Sequence, residues 1–173
     1  MTTTVRPARP EDAAAIDQVA LSAFAQYRDT YSDWETFSRG IGAMSALGRS
    51  GELIVAESGR RIVGAVAYVG PGKPKPDFFA PEWPTIRMLV VDPEARGVGI
   101  GRRLTEACIE RARADAARLI ALHTSPIQAV ALAMYLRMGF RELRPIAAIF
   151  GVPYSLYLLS LDASRESQSN RAG

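Results

Sequence analysis

A glycine-rich turn between an apolar run and a helical pattern is the part of this sequence best suited to chemistry. The turn, RGVGIG, occupies residues 96–101 and follows the β-favouring run at 85–91. The first N–H groups of a helix have no partner within it, and the helix dipole makes that end positive. Glycines let such N–H groups approach phosphate oxygens without collisions from Cβ atoms. The sequence therefore predicts a phosphate-binding turn.

Two common phosphate motifs do not fit this turn. A Walker A loop ends in Gly-Lys-Ser/Thr, whereas Gly101 is followed by two arginines, which excludes an ordinary P-loop NTPase. A dinucleotide-binding turn needs Gly-x-Gly-x-x-Gly and an acidic residue at the end of the next strand. Here the glycine spacing is different, and His123 stands near the place of that acid.

The hydrophobic pattern places the turn inside one mixed α/β domain. Strands are predicted at residues 2–6, 53–57, 61–69, 85–91 and 119–124, with two more between 140 and 161. Helices are predicted at residues 11–24, 33–47, 100–117 and 126–138. We expect an α/β (α+β) fold in the order β-α-α-β-β-β-α-β-α-β-β, with a central mixed, mostly antiparallel twisted sheet flanked by helices. The domain is predicted over residues 1–162 and a polar C-terminal tail over 163–173.

Composition excludes several other classes of function. Nineteen arginines against two lysines give a formal net charge of only +3, and no arginine cluster is interleaved with aromatic residues, so we expect no nucleic-acid partner. No apolar run is long enough to span a membrane, and the first residues lack a signal-peptide core, so a cytoplasmic protein is expected. The single cysteine, Cys108, is predicted to face the core. No cluster has metal-ligand spacing, so no metal is expected.

Two blocks of sequence resemble motifs of the GNAT superfamily of acetyl-CoA-dependent N-acetyltransferases. Residues 88–104, MLVVDPEARGVGIGRRL, resemble the acetyl-CoA motif of that family. Residues 131–140, ALAMYLRMGF, resemble the family's following helix and strand start. The resemblance implies a GNAT-like fold, acetyl-CoA as co-substrate, and transfer of its acetyl group to a primary amine by direct attack.

The resemblance also implies roles for individual residues. In the family the strand before the turn bulges and splays from its neighbour, which frees backbone groups for the pantetheine amides. By position these groups belong to Leu89, Val90 and Val91. The family's pyrophosphate contacts are backbone N–H groups of the turn, which correspond here to Arg96, Gly97, Val98, Gly99, Ile100, Gly101 and Arg102.

The tyrosine before Gly-Phe is the family's usual general acid, and here it is Tyr135. A phenol stays protonated at neutral pH, because its unperturbed pKa is about 10, so it could protonate the departing thiolate. Packing offers another reading, since Tyr135 also shares a helical stripe with several apolar residues.

Arg87 is the main departure from the family pattern, because many members carry a glutamate there that serves as base or holds water. A cation cannot accept the ammonium proton. We expect Arg87 either to hold a carboxylate of the substrate or to pair with an acid such as Glu82 or Glu142. Strict alternation along the strand predicts that Arg87 shares a face with Leu89 and Val91.

The general base is left open by the sequence. His123 lies near the end of the strand expected to flank the acetyl group, and its unperturbed pKa suits the task. Glu82 lies in the loop over residues 70–84, and a water chain without one essential base is the third candidate. Gln128 stands where many family members have asparagine, and it keeps the hydrogen-bonding amide.

The sequence also leaves open the identity of the acceptor and whether the chain is an enzyme. A non-catalytic acetyl-CoA-binding sensor or partner module is the alternative to an enzyme. Phe78, Phe79 and Trp83 in the long loop suggest an apolar or aromatic acceptor, or a homodimer contact. The acceptor is expected to be a small-molecule or peptide amine, and the acyl group could be longer than acetyl.

Overall fold

Seven strands form one sheet in the computed structural model, which describes residues 2–162. The strands are β1 (Thr3–Pro7), β2 (Glu52–Ser58), β3 (Arg61–Val69), β4 (Thr85–Val91), β5 (Leu119–Thr124), β6 (Arg141–Ile149) and β7 (Val152–Ser160). Their order across the sheet is β1-β2-β3-β4-β5-β7-β6. Neighbouring strands run antiparallel except β4 and β5, which run parallel. The predicted tail at 163–173 lies outside the described residues.

Four α-helices cover the two faces of this sheet. They are α1 (Ala13–Phe24), α2 (Trp34–Ile41), α3 (Ile100–Ala114) and α4 (Ala129–Arg137). Apolar residues of α1 and α2 pack on one face, and those of α3 and α4 on the other. The predicted order of strands and helices is confirmed.

The second helix is shorter than the sequence pattern predicts. Instead of reaching residue 47, α2 ends at Ile41 and is followed by a 3₁₀ segment, Met44–Arg49. Glycine is a poor helix former, and both Gly40 and Gly42 fall at this end. The N–H of Gly42 donates to the carbonyl of Ser38, which closes the last turn. Residues of α2 and of this 3₁₀ segment both line a cavity beside the sheet.

Strand β4 bulges at Met88 and then separates from β5. The pairing of β3 with β4 shifts by one residue between Ala65–Val90 and Ala67–Arg87, and Met88 has a φ of 53°. On its other side β4 shares one register pair with β5, Thr85 with Ala121. Beyond that pair the β5 edge of β4 has no strand partner in the described chain. The bulge and split that the family resemblance implies are therefore both present.

The bulge changes the face on which Arg87 lies. Arg87 is opposite Ala67 and Val90 opposite Ala65, so Arg87 and Val90 share the face covered by α1. Leu89 and Val91 pack with the cluster that includes α3. The prediction that Arg87 shares their face is wrong, because the extra residue of a bulge shifts the alternation by one.

The chain leaves α3 through a residue in the left-handed conformation, Ala116, and a substitution can test this geometry. Ala116 is exposed with a φ of 55°, and the N–H of Ala117 donates to the carbonyl of Ala112 at 3.0 Å, as in a Schellman cap. This left-handed conformation destabilises an L-residue by about 1–2 kcal/mol. Ala116→Gly should therefore raise the free energy of unfolding in urea by about 0.5–1 kcal/mol, after glycine's own entropic cost is deducted.

The matched control for that change is Ala114→Gly, which removes a methyl group from an exposed helical position two residues earlier. It should lower the free energy of unfolding by up to about 1 kcal/mol. Equal losses in the two variants would contradict the left-handed conformation at Ala116.

Candidate active site

Two adjoining cavities lie where β4 leaves β5. The turn cavity, of about 580 Å³, is lined by the end of α1, residues 89–91 of β4, the glycine turn and α4. The α2 cavity, of about 500 Å³, is lined by α2, the 3₁₀ segment after it, residues 86–89 of β4, the end of β5 and Tyr154 of β7. Phe24, Leu89, Gln128 and Ala131 line both, so a ligand in one cavity would lie next to a ligand in the other.

The glycine turn presents unused backbone N–H groups to the turn cavity. Gly97 and Gly99 both have a φ of 84°, and a Cβ on either would meet nothing within 4 Å. Glycine is favoured at both positions by the backbone conformation and not by a lack of space, because L-residues rarely adopt a positive φ. Within residues 2–162, no N–H group of residues 96–102 donates to another part of the chain. The first helical hydrogen bond is from Arg103 to the carbonyl of Gly99.

The turn cavity carries positive charge without a compensating acid in its wall. Arg96, Arg102 and Arg137 line it, and none of its lining residues in the described chain is Asp or Glu, although Arg102 donates from Nε to Glu106, outside the wall, at 2.9 Å. Arg96 donates from Nη2 to the carbonyl of Ala23 at 3.1 Å, which places its guanidinium at the end of α1. Arg137 was not predicted from the sequence. Guanidinium groups bind phosphates through paired N–H donors, so this wall suits a phosphate-bearing ligand.

The other residues predicted to bind the cofactor offer mainly backbone groups. Val98 is 73% exposed at the tip of the turn, whereas the side chain of Ile100 is buried in the core. Leu89, Val90 and Val91 line the turn cavity along the unpaired edge of β4. Of the residues predicted to bind the cofactor, all except Val98 line the turn cavity, along one continuous stretch of backbone.

Tyr135 lies near the junction of the two cavities. Its side chain is buried and lines the α2 cavity, while the preceding Met134 lines the turn cavity. Its ring packs edge-on against Phe140, with centroids 5.5 Å apart. Burial raises the pKa of Tyr135, and the nearby thiol of Cys108 raises it further. The phenol is therefore protonated at neutral pH. This group can donate a proton but cannot act as a base.

His123 is the candidate base that the structure places in the α2 cavity. Its imidazole lies between Phe78 and Tyr154, with ring centroids at 5.2 and 5.3 Å. Burial lowers the pKa of His123 to about 4, with a further contribution from the charge of Arg87. The alternative base, Glu82, is exposed and lines neither cavity.

Arg87 lines the α2 cavity without an acidic partner. Neither Glu82 nor Glu142 pairs with it, and no ion pair of Arg87 is found within residues 2–162. The suggested salt bridge is therefore wrong, because the face on which Arg87 lies turns its side chain toward the cavity. Burial lowers the pKa of Arg87, which reflects the cost of holding this charge away from water.

The aromatic residues of the long loop pack on the sheet and do not line either cavity. Phe79 is 2% exposed and packs with Ala121 and Leu156, and Phe78 and Trp83 border the same cluster. The suggestion that they contact the acceptor or a second copy is wrong for Phe79, because a loop that crosses an apolar sheet face must cover it.

Most of the α2 cavity wall could not be identified from the sequence. Phe37, Met44 and Phe150 supply apolar surface, and the phenol of Tyr154 contacts that of Tyr31. Gln128 lines both cavities, and its Oε1 accepts from the hydroxyl of Thr124 at 3.1 Å. These residues come from three separate stretches of the chain, 31–44, 124–128 and 150–154, and no local spacing connects them. The amide of Gln128 was the one signal that the family pattern offered.

Several other chemical sites can be checked in the described chain. In residues 2–162, no group of three His, Cys, Asp or Glu side chains is close enough to hold a metal ion. Over the same range, every helix is too short or too polar to cross a membrane. Cys108 is buried as predicted, and burial raises its pKa to about 12, so its thiol is protonated and unreactive at neutral pH.

Comparison with known families matches residues 13–140 to the family described as Acetyltransferase (GNAT) family. The chain belongs to the GNAT family. Among curated relatives, an IAA acetyltransferase of Azospirillum brasilense is 36% identical over 73 residues, which are 42% of this chain and 48% of the relative. A mycothiol acetyltransferase of Cellulomonas flavigena is 34% identical over 104 residues, which are 58% of this chain and 29% of the relative. The chain thus matches less than half the length of these GNAT relatives.

Solved structures show the same GNAT fold. An N-acetyltransferase from Staphylococcus aureus Mu50 superposes with a TM-score of 0.70 at 16% identity, covering 94% of this chain and all of the other. A GNAT family acetyltransferase from Brucella melitensis, solved in complex with acetyl-CoA, superposes with a TM-score of 0.63 at 24% identity. That match covers 93% of this chain and 89% of the other.

The titration of His123 tests the environment of the α2 cavity. It is the one histidine of the sequence, so its ring signals in an NMR titration of tag-free protein are unambiguous. We expect a pKa of about 4, rising in Arg87→Met because the neighbouring positive charge is removed. A midpoint near 6.5 would contradict the buried placement.

The same shift should make folding stability depend on pH. Between pH 6.5 and about 4 the unfolded chain binds a proton that folded His123 does not, so stability falls as the pH is lowered. The loss should approach about 3 kcal/mol below pH 4, at 1.36 kcal/mol per pKa unit. His123→Gln should remove this part of the slope in urea unfolding measured across that range.

Proposed function

We propose that this chain transfers an acetyl group from acetyl-CoA to a primary amine. The observation that carries the proposal is the continuity of two backbone features, the unused N–H groups of the turn and the unpaired edge of β4. One feature suits a pyrophosphate and the other suits the amides of an extended chain. The α2 cavity then provides a separate space for an acceptor beside Tyr135.

The residues present fit acetyl-CoA by charge and by hydrogen bonding. Backbone N–H groups of residues 96–102 would hold the pyrophosphate, with Arg96 and Arg137 adding positive charge and Arg102 adding less because it pairs with Glu106. Backbone groups of residues 89–91 would pair with the pantetheine amides. When bound, acetyl-CoA supplies a thioester whose carbonyl carbon an amine can attack.

Tyr135 would act as the general acid for the departing sulfur. Its hydroxyl keeps its proton at neutral pH because burial raises the pKa, and it lies on the helix that separates the two cavities. Phe140 holds the ring from one side, which limits its motion. The amine's own proton would leave through water, because His123 is a weak base at a pKa of about 4.

A non-catalytic acetyl-CoA-binding module is the second candidate. It is favoured by the α2 cavity itself, which has no Asp or Glu among its lining residues in the described chain. Release of the CoA thiol in the presence of a panel of amines separates the two functions. An enzyme releases thiol with some member of the panel, whereas a binding module retains affinity for acetyl-CoA and releases none.

Gly99→Ala tests the cofactor-binding turn. The substitution strains a left-handed position by about 1–2 kcal/mol and should distort the N–H groups that follow it. Calorimetry should show acetyl-CoA affinity reduced about tenfold or more, the equivalent of about 1.4 kcal/mol. The matched control is Gly72→Ala, a glycine at φ 74° with equally open surroundings but outside both cavities. Equal affinity in the two variants would place the cofactor elsewhere.

Tyr135→Phe tests the general acid. The change keeps the ring and removes one proton donor, so kcat should fall by roughly 10²–10⁴-fold while the affinity for acetyl-CoA changes little. Tyr68→Phe removes a hydroxyl that donates to Asp115 outside both cavities, and it serves as the matched control. If Tyr135→Phe stays within twofold of the parent, Tyr135 is a packing residue.

A further inference from the structure

Three buried polar atoms without a hydrogen-bond partner lie close together in the fold. Within residues 2–162 they are Oγ1 of Thr85, Nε of Arg87 and Nδ1 of His123. Thr85 is paired with Ala121, and side chains two residues apart share a face, so Thr85, Arg87 and His123 lie on the same face of β4 and β5. This is the place where the two strands begin to separate.

An unpaired buried polar atom is costly, so a group of three calls for a physical explanation. Each one forfeits about 1–3 kcal/mol, and native proteins leave few such atoms unmatched. Arg87 and His123 both line the α2 cavity, so a molecule there could supply a hydrogen-bond partner to these two side chains, whereas Thr85 lies behind the cavity wall. Residues 2–162 provide no partner for these atoms, so a molecule bound in the α2 cavity is the candidate partner for Arg87 and His123.

The chemistry of Arg87 and His123 indicates which kind of molecule would bind in the α2 cavity. Arg87 carries a positive charge with no acidic partner in the described chain, and the cavity wall there contains no Asp or Glu. A guanidinium favours a planar anion that accepts two parallel hydrogen bonds, which is the geometry of a carboxylate. The imidazole N–H of His123 can donate one more.

The rest of the cavity wall indicates which other chemical groups a carboxylate ligand would carry. Phe24, Phe37, Met44 and Phe150 supply apolar and aromatic surface around a volume of about 500 Å³. That volume is in the usual range for small-molecule sites. Tyr135 lies on the same wall, toward the turn cavity.

We propose that the acceptor is an amino acid with an apolar or aromatic side chain, whose carboxylate is held by Arg87 and His123. The reaction part of this proposal rests on the proposed acetyl transfer, but the carboxylate subsite does not. The carboxylate replaces the missing partner of Arg87, and the apolar group occupies the aromatic end of the cavity. The amine is then the group left to face Tyr135 and the thioester.

Binding of a carboxylate should be visible at His123. Within residues 2–162, the charged group that acts on this imidazole is Arg87 on β4, and its other neighbours are the neutral phenol of Tyr154 on β7 and the rings of Phe78 and Phe79 from the loop. Neutralising Arg87 removes one of the two causes that lower the pKa of His123. A bound carboxylate should therefore raise that pKa.

The test uses tag-free full-length protein without acetyl-CoA and three probes of similar size. These are phenylalanine, 3-phenylpropanoate, which lacks the amine, and 2-phenylethylamine, which lacks the carboxylate. NMR should show that both carboxylates shift the His123 signals and raise its pKa, and that 2-phenylethylamine does neither. Unmoved signals with both carboxylates at millimolar concentration would mean that water satisfies these atoms, and would overturn the subsite.

Arg87→Met supplies the second arm of the test. Loss of a charge-assisted pair should weaken the Kd of both carboxylates by about 10-fold or more, the equivalent of about 1.4 kcal/mol. The control, Arg113→Met, removes an exposed arginine of α3 and should leave the Kd unchanged. Because Arg87 has no ion-pair partner within residues 2–162, Arg87→Met should fold with equal or greater stability. A large loss of stability, or an unchanged Kd, would overturn the assignment.

Turnover with acetyl-CoA separates this inference from the proposed function. We expect kcat/KM for phenylalanine to exceed that for 2-phenylethylamine by about 10-fold or more, with the preference lost in Arg87→Met. Carboxylate binding at His123 without turnover of any amine would refute the transferase and leave the subsite intact. Turnover of both amines at equal kcat/KM, without a shift at His123, would refute the subsite and leave the transferase intact.

Discussion

The separation of β4 from β5 after one register pair is the constraint on which the rest of the site depends. A strand in the middle of a sheet normally satisfies its N–H and C=O groups on both edges, and giving up one edge costs hydrogen bonds. Here β3 keeps the other edge of β4 paired, and the apolar clusters on both faces hold the strand in place. The opening created in this way is the space that both cavities share.

The two cavities favour negative ligands by different physical means. In the turn cavity the donors are backbone N–H groups and exposed arginines, whose individual contributions are small and screened by salt. In the α2 cavity one arginine is held in a mostly apolar environment, where an unpaired charge costs several kcal/mol and a paired, hydrogen-bonded charge costs less. Affinity for a large polyanion suits the first arrangement, and selection among small molecules suits the second.

Burial acts in opposite directions on the two titratable rings of the α2 cavity. It raises the pKa of Tyr135 and lowers the pKa of His123, so both are neutral at pH 7. Arg87 is then the lone charged side chain among the cavity's lining residues in the described chain. Burial therefore keeps the phenol of Tyr135 protonated at neutral pH, in a cavity with no Asp or Glu among its lining residues in the described chain.

The sequence by itself determined the order of the strands and helices, the glycine turn before α3, the burial of Cys108 and the resemblance to the GNAT family. Each of these depends on residues a few positions apart, so local pattern and backbone preference suffice. The bulge at Met88, the face on which Arg87 lies, the covering of the sheet by Phe79 and the place of Arg137 were decided by the tertiary structure. They depend on which strands meet and which do not, and those contacts join segments that are distant in the chain.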